Sequence, residues 1–120
     1  MSVPMAPILQ VRDDAGLHNA LSDTEFVIVL FDVHEFAPSA FLAAATARGS
    51  DARFVYVNVD DIELPEFLTR TPTCAAYANG VYQQHVACAA APGVDELSSF
   101  VSQALVAAPR EALRVCVGGA

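Results

Sequence analysis

The segment Phe26-Val27-Ile28-Val29-Leu30-Phe31-Asp32-Val33-His34-Glu35-Phe36-Ala37-Pro38-Ser39 passes from an unbroken apolar run, through a polar loop, to a proline. Its first six residues are β-branched, aliphatic or aromatic. Such a run suits a strand covered on both faces, hence a central strand of a parallel sheet. Pro38 then stands where a helix can begin, because its missing N–H costs nothing in the first turn. Ser39–Arg48 is rich in alanine, and Gly49 occupies the place of a C-terminal cap.

The rest of the chain repeats this alternation. Phe54–Val59 is a second buried strand. Upstream, Ile8–Arg12 alternates weakly as a strand, and Asp13 or Asp14 caps a short helix running to Leu21, with Leu17 and Leu21 on one face. Downstream, Asp60 and Asp61 are expected to cap a short helix from about Glu63 to Thr69, with Pro65 in its first turn. Cys74–Ala78 and Val81–Val86 flank Asn79-Gly80, the strongest short-range signal for a two-residue type I′ hairpin. Val94–Ala107 is amphipathic, with Leu97, Phe100, Val101, Ala104 and Leu105 on one side and Asp95 and Glu96 in the first turn, where the helix dipole favours them. Met1–Pro7 reads as a loose lead and 108–120 as a frayed tail around a single domain, 8–107. The predicted fold is α/β: a mixed five-stranded sheet, three strands parallel through helical crossovers plus an antiparallel C-terminal hairpin, with helices on both faces.

Composition narrows the function. The 120 residues are 54% hydrophobic and 17% charged, enough for one real core. Six arginines, no lysine and fourteen acids leave a net charge of −8, which repels phosphate backbones and anionic lipid heads. Nucleic acid and membrane surfaces are therefore not the expected partners; a protein or an extended peptide is, either basic or met through an apolar patch. No apolar run approaches the ~20 residues of a membrane span. Met1–Gln10 lacks the basic start of a secretory signal. Three widely spaced cysteines, Cys74, Cys88 and Cys116, are no disulfide framework, so a reducing cytoplasm is the expected compartment.

Element order and local residues together resemble the thioredoxin family across residues 8 to 106. In that family a buried strand runs into Trp-Cys-Gly-Pro-Cys, which opens a helix; here Val27–Phe31 runs into Glu35-Phe36-Ala37-Pro38-Ser39. A Val-Asp ends the next buried strand, matched by Val59-Asp60. A Pro-Thr with a cis proline follows, matched by Pro72-Thr73, and then a hairpin turning at Asn-Gly, matched by Asn79-Gly80. The segment between Asp60 and Pro72 is shorter than the resemblance leads one to expect.

By position, Phe36 replaces the first cysteine of the family motif, Ser39 the second, Glu35 the tryptophan and Leu30 the buried acid. Dithiol exchange needs a thiolate at the helix start and a second thiol to resolve the mixed disulfide. Neither Phe36 nor Ser39 can supply one, so dithiol–disulfide oxidoreductase activity is not expected. No catalytic residue, metal site or cofactor is assigned. Phe36-Ala37-Pro38-Ser39 can be a plain helix start, but an exposed Phe36 would also make a sticky, unreactive groove. The resemblance implies a binding groove formed by Glu35, Phe36, Ala37, Pro38, Ser39, Thr71, Pro72 and Cys88. The expected function is thus a redox-inactive protein-binding module, adaptor or chaperone-like. The alternatives are a single-thiol enzyme working through Cys88 and a structural subunit of a larger assembly.

Counting back from a regular Asn79-Gly80 turn pairs Cys74 with His85 and sets Thr71 opposite Cys88. Residues 85 and 88 then face opposite sides, so the two thiols stay apart unless a bulge intervenes. Cys88 is expected at the groove rim, either as a relocated thiol or as a small residue in a tight loop. Cys74 with His85 is read as a cross-strand pair rather than a nucleophile and base. Asp32, His34 and Glu35 are read as a solvated loop rather than a metal or acid–base cluster, and His18 as helix surface.

Overall fold

Seven consecutive residues, Phe26–Asp32, are buried and form strand β2, the centre of the sheet. The computed structural model describes residues 8–22, 26–49, 51–88 and 92–107; the expected lead, tail and Cys116 lie outside them. Strand β1 is Ile8–Val11, β3 is Arg53–Asn58, β4 is Thr73–Ala78 and β5 is Val81–Ala87; the helices are α1, Asp14–Ser22, α2, Ser39–Arg48, and α3, Val94–Ala107. The strands lie in the order β1-β3-β2-β4-β5. The first three are parallel, β4 is antiparallel to β2, and β5 is antiparallel to β4. The mixed five-stranded sheet read from the sequence is the sheet found.

Alternation along β2 builds two cores. Phe26, Ile28 and Leu30 meet Phe54 and Tyr56 of β3 and Cys74 and Ala76 of β4 beneath α2 and α3, which contribute Phe41, Ala44, Leu97, Phe100 and Val101. Val27, Val29 and Phe31 meet Val55, Val57, Ala75 and Tyr77 beneath α1, which contributes Leu17 and Ala20. Each fully buried aliphatic or phenylalanine side chain stabilises the fold by roughly 1.5–3 kcal/mol. Asp13 caps α1, its Oδ1 accepting the N–H of Gly16 at 2.7 Å.

Three local expectations are corrected. No helix spans Glu63 to Thr69. A single 3₁₀ turn, Val59–Asp61, follows β3 instead, capped by the Asn58 side chain, which accepts the N–H of Asp60. Proline disfavours helical geometry in the residue before it, and Leu64 precedes Pro65. Only one turn forms beyond it, Leu68 N–H to Pro65 oxygen at 3.1 Å. The backbone at Gly49 is right-handed (φ −64°, ψ −20°) rather than a left-handed cap. Glycine is needed there for space, since a Cβ would lie 2.9 Å from the Ala45 oxygen. The hairpin is also irregular. Asn79 (φ 53°) and Gly80 (φ 81°) turn as the type I′ reading requires, but the register shifts beyond Tyr77–Tyr82, and Ala76 pairs with Gln84. Gln83 is the extra residue, a β-bulge on β5, and its side-chain amide donates to the Val81 oxygen.

Candidate functional site

Parallel strands deliver their following loops to one end of a sheet, and ligands of open α/β sheets gather there. Loop 33–38 leaves β2 at that end. Residues 71–72 enter β4 beside it, because Phe31 pairs with Thr73 at the last rung between the two strands. Val33 and Thr71 line one small cavity together. The Thr71–Pro72 peptide bond is cis.

Loop 33–38 is held from beneath and from the side. The hydroxyl of Tyr56, rising from β3, donates to the carbonyl of His34 at 2.7 Å. The Gln10 amide, from β1, donates to the carbonyl of Glu35. Between these anchors and α2 stands Phe36, 64% exposed. Val33 and Leu64 are exposed on the same side of the fold, on the loops after β2 and β3. Ala37 and Pro38 are half-buried and Ser39 is exposed. The Pro38 carbonyl accepts the N–H groups of Phe41 and Leu42, and no side chain caps α2. The sequence of this strand-to-helix junction contains no cysteine.

Leu30 is fully buried and carries no proton-accepting atom. Two residues on, and on the same side of the strand, Asp32 is a buried carboxylate whose Oδ1 accepts the Val33 N–H at 2.8 Å. Burial, then the nearby Asp32 charge, push the Tyr56 hydroxyl up to about 12 against the pull of its bond to His34. Tyr56 is therefore a neutral donor at physiological pH. The expected solvated cluster divides: His34 and Glu35 are exposed, Asp32 is not. Among the described residues no group of three or more His, Cys, Asp or Glu side chains is placed to hold a metal ion.

Cys88 is beside Pro72, as expected, but not at an open rim. Its N–H donates to the Pro72 oxygen at 2.9 Å and its residue is only 2% exposed. Burial first, then the charge of Glu96, push its thiol up to about 11, against a backbone hydrogen bond with Cys74 that lowers it. Cys74 is fully buried, and burial followed by the neighbouring Cys88 raises its thiol well above the ordinary range. Cys74 pairs with Val86, and His85 pairs with Ala75, so the expected Cys74–His85 pair does not exist. The bulge moves the register by one, and both thiols enter the core beneath α2 and α3. His85 faces the other way, against Phe67 with ring centroids 4.9 Å apart, and Phe67 stacks on Tyr82 at 4.6 Å.

Sequence reasoning missed Gln10, Val33, Tyr56 and Leu64. For Val33 and Leu64 the signal was present: large aliphatic residues in otherwise polar loops. Gln10 and Tyr56 lie inside strands and announce nothing locally.

No protein-family model matches the sequence, and no curated protein does. Solved structures do. The chain is similar to thioredoxin from Malassezia sympodialis, at 17% identity over 88% of this chain and 96% of that one, with a TM-score of 0.68. It is similar to a mutant thioredoxin from Halobacterium salinarum, at 19% identity over 90% and 100%, TM-score 0.65. Thioredoxin from Schistosoma mansoni matches at 21% over 80% and 94%, TM-score 0.63. Among the described residues no helix is long and apolar enough to cross a membrane. Strand order, crossovers and these likenesses agree: the chain has the thioredoxin fold.

Proposed function

We propose that this protein is a redox-inert, thioredoxin-fold binding module that takes an extended protein segment at the end of the sheet where loop 33–38 meets Thr71-Pro72. The observation that carries this is Phe36: an aromatic ring 64% exposed, on a loop tied down by Tyr56 and Gln10. Aromatic anchors held in place before binding lose little freedom on docking and are typical interface hot spots. The same loop offers no nucleophile where dithiol exchange would need one. The single-thiol alternative loses support, because Cys88 is buried and its thiol is held protonated.

The test is Phe36→Asp. The variant is expected to melt like the parent, since an exposed ring contributes little to the core. It is also expected to retain less than a tenth of the partner captured by the parent from native extract, in line with the ~2 kcal/mol or more typical of an aromatic anchor. A variant that unfolds places Phe36 in the core and removes the proposal; one that folds and binds like the parent moves the site elsewhere.

A further inference from the structure

A cavity of about 160 Å³ opens at this end of the sheet, walled by Val33, Val59, Leu64, Leu68, Arg70 and Thr71. That is about the size that takes one benzene-sized apolar group. Val33 and Leu64 are 51% and 54% exposed, so two of its walls face water. Around it the charge is one-sided. The loops and helix start that follow β1, β2 and β3 carry the exposed carboxylates Asp13, Asp14, Glu35, Asp60, Asp61 and Glu63, against the exposed Arg12 and Arg70. Near the opposite end, Arg48 is paired with Asp51, with Arg53 close by in sequence. The chain contains no lysine, and among the described residues only Arg12 and Arg70 stand against these carboxylates. A field of one sign around an apolar opening attracts oppositely charged partners and orients them as they arrive.

We infer that the segment bound at this end is basic: one leucine-sized apolar residue seated in the Val33–Leu64–Thr71 cavity, with arginine or lysine on either side facing Glu35, Asp60, Asp61 and Glu63. The inference rests on the groove reading above and specifies its ligand. The cavity supplies the anchor, and the carboxylates supply orientation and salt dependence.

The test uses three capped heptapeptides, Ser-Arg-Arg-Leu-Arg-Arg-Ser, the same peptide with alanine for leucine, and the same with glutamate for each arginine, titrated calorimetrically into the intact chain. The arginine–leucine peptide is expected to bind tightest. Its affinity is expected to fall about tenfold as salt rises from about 0.05 M to about 0.5 M, because rim charges are screened. The alanine exchange is expected to cost about tenfold, as for loss of a seated anchor. The triple variant Asp60→Asn, Asp61→Asn, Glu63→Gln is expected to lose the salt dependence and keep its melting curve. Equal binding of the glutamate peptide, or indifference to salt, overturns the basic-ligand inference. The groove reading survives that result if Phe36→Ser still weakens leucine-peptide binding. Binding that ignores both the alanine exchange and Phe36→Ser is unseated charge attraction and overturns both. Absence of binding by every peptide overturns the inference and leaves the groove reading to the Phe36→Asp capture.

Discussion

The N–H of Cys88 donates to the carbonyl of Pro72 across 2.9 Å, one residue out of step with an unbroken hairpin. The extra residue is Gln83, and the shift sends the Cys88 thiol into the core that already holds Cys74. Thiolate, not thiol, is the reactive species. With the native chain at neutral pH, a disulfide reagent is therefore expected to label Cys74 and Cys88 at least about a hundredfold more slowly than in denaturant, since reaction awaits opening of the fold. Mass spectrometry of labelled peptides reads this residue by residue. Fast labelling of Cys88 in the native chain would restore the thiol-enzyme alternative.

The same burial fixes how stability depends on alkaline pH. Cys88 is raised from 9.0 to about 11, and Tyr56 and Tyr77 from 10.0 to about 12. Below about pH 8 these groups are protonated in both states and leave stability unchanged. Above it the unfolded chain releases protons that the folded chain retains, so stability falls with each pH step up to about 12. Urea unfolding at pH 7, 8, 10 and 11 should show the midpoint constant up to about pH 8 and declining beyond. Cys88→Ala should flatten the first part of that decline. A midpoint that rises between pH 9 and 11 contradicts these shifts.

Insulin-disulfide reduction with dithiothreitol should proceed at the background rate in the presence of this protein. Phe36 and Ser39 at the start of α2 provide neither the attacking nor the resolving sulfur. Turnover well above background that survives Cys88→Ser would defeat the redox-inert reading.

Tyr56→Phe separates presentation of Phe36 from mere burial. The variant keeps the ring in the core and deletes only the hydroxyl that donates to the His34 carbonyl. A lost hydrogen bond of this kind costs about 1 kcal/mol of stability. Partner affinity is expected to fall several-fold as well, because loop 33–38 loses an anchor. If stability falls and affinity does not, the loop needs no fixing from below. Phe41→Ala offers the contrasting case: a fully buried ring in the α2 core, where loss of a phenylalanine costs about 3–5 kcal/mol.

The strands were legible because burial on both faces writes itself as unbroken runs, Phe26–Phe31 above all, and the hairpin because only residues such as Asn79 and Gly80 take positive φ cheaply. The bulge was not legible. A chain of Val-Tyr-Gln-Gln-His contains nothing that marks Gln83 as the residue without an opposite number, so the register counted from the turn was right at Ala78 and wrong at Cys74. The helix after Asp61 failed for a different reason: Pro65 was placed inside a first helical turn, but proline disfavours helical geometry in the residue before it, here Leu64, and only the single Pro65–Leu68 turn forms. At the site, Phe36 and the residues around Pro72 were named from the resemblance, whereas the supports Gln10 and Tyr56 act over 25 and 22 positions along the chain and emerge only once β1 and β3 lie side by side.

The bulge at Gln83 also acts as a parity device. Alternation along a strand has two phases, and one inserted residue exchanges them for everything that follows. Pairing Gln83 across the hairpin instead of bulging it would exchange the faces beyond it: His85 would turn toward the helices α2 and α3, and Cys88 would turn out of their core to the face where Phe67 lies. The chain would keep its turn while the Cys88 sulfur left the core it shares with Cys74. The burial of the Cys88 thiol thus goes with a single glutamine that contributes neither charge nor reactivity, only an odd count.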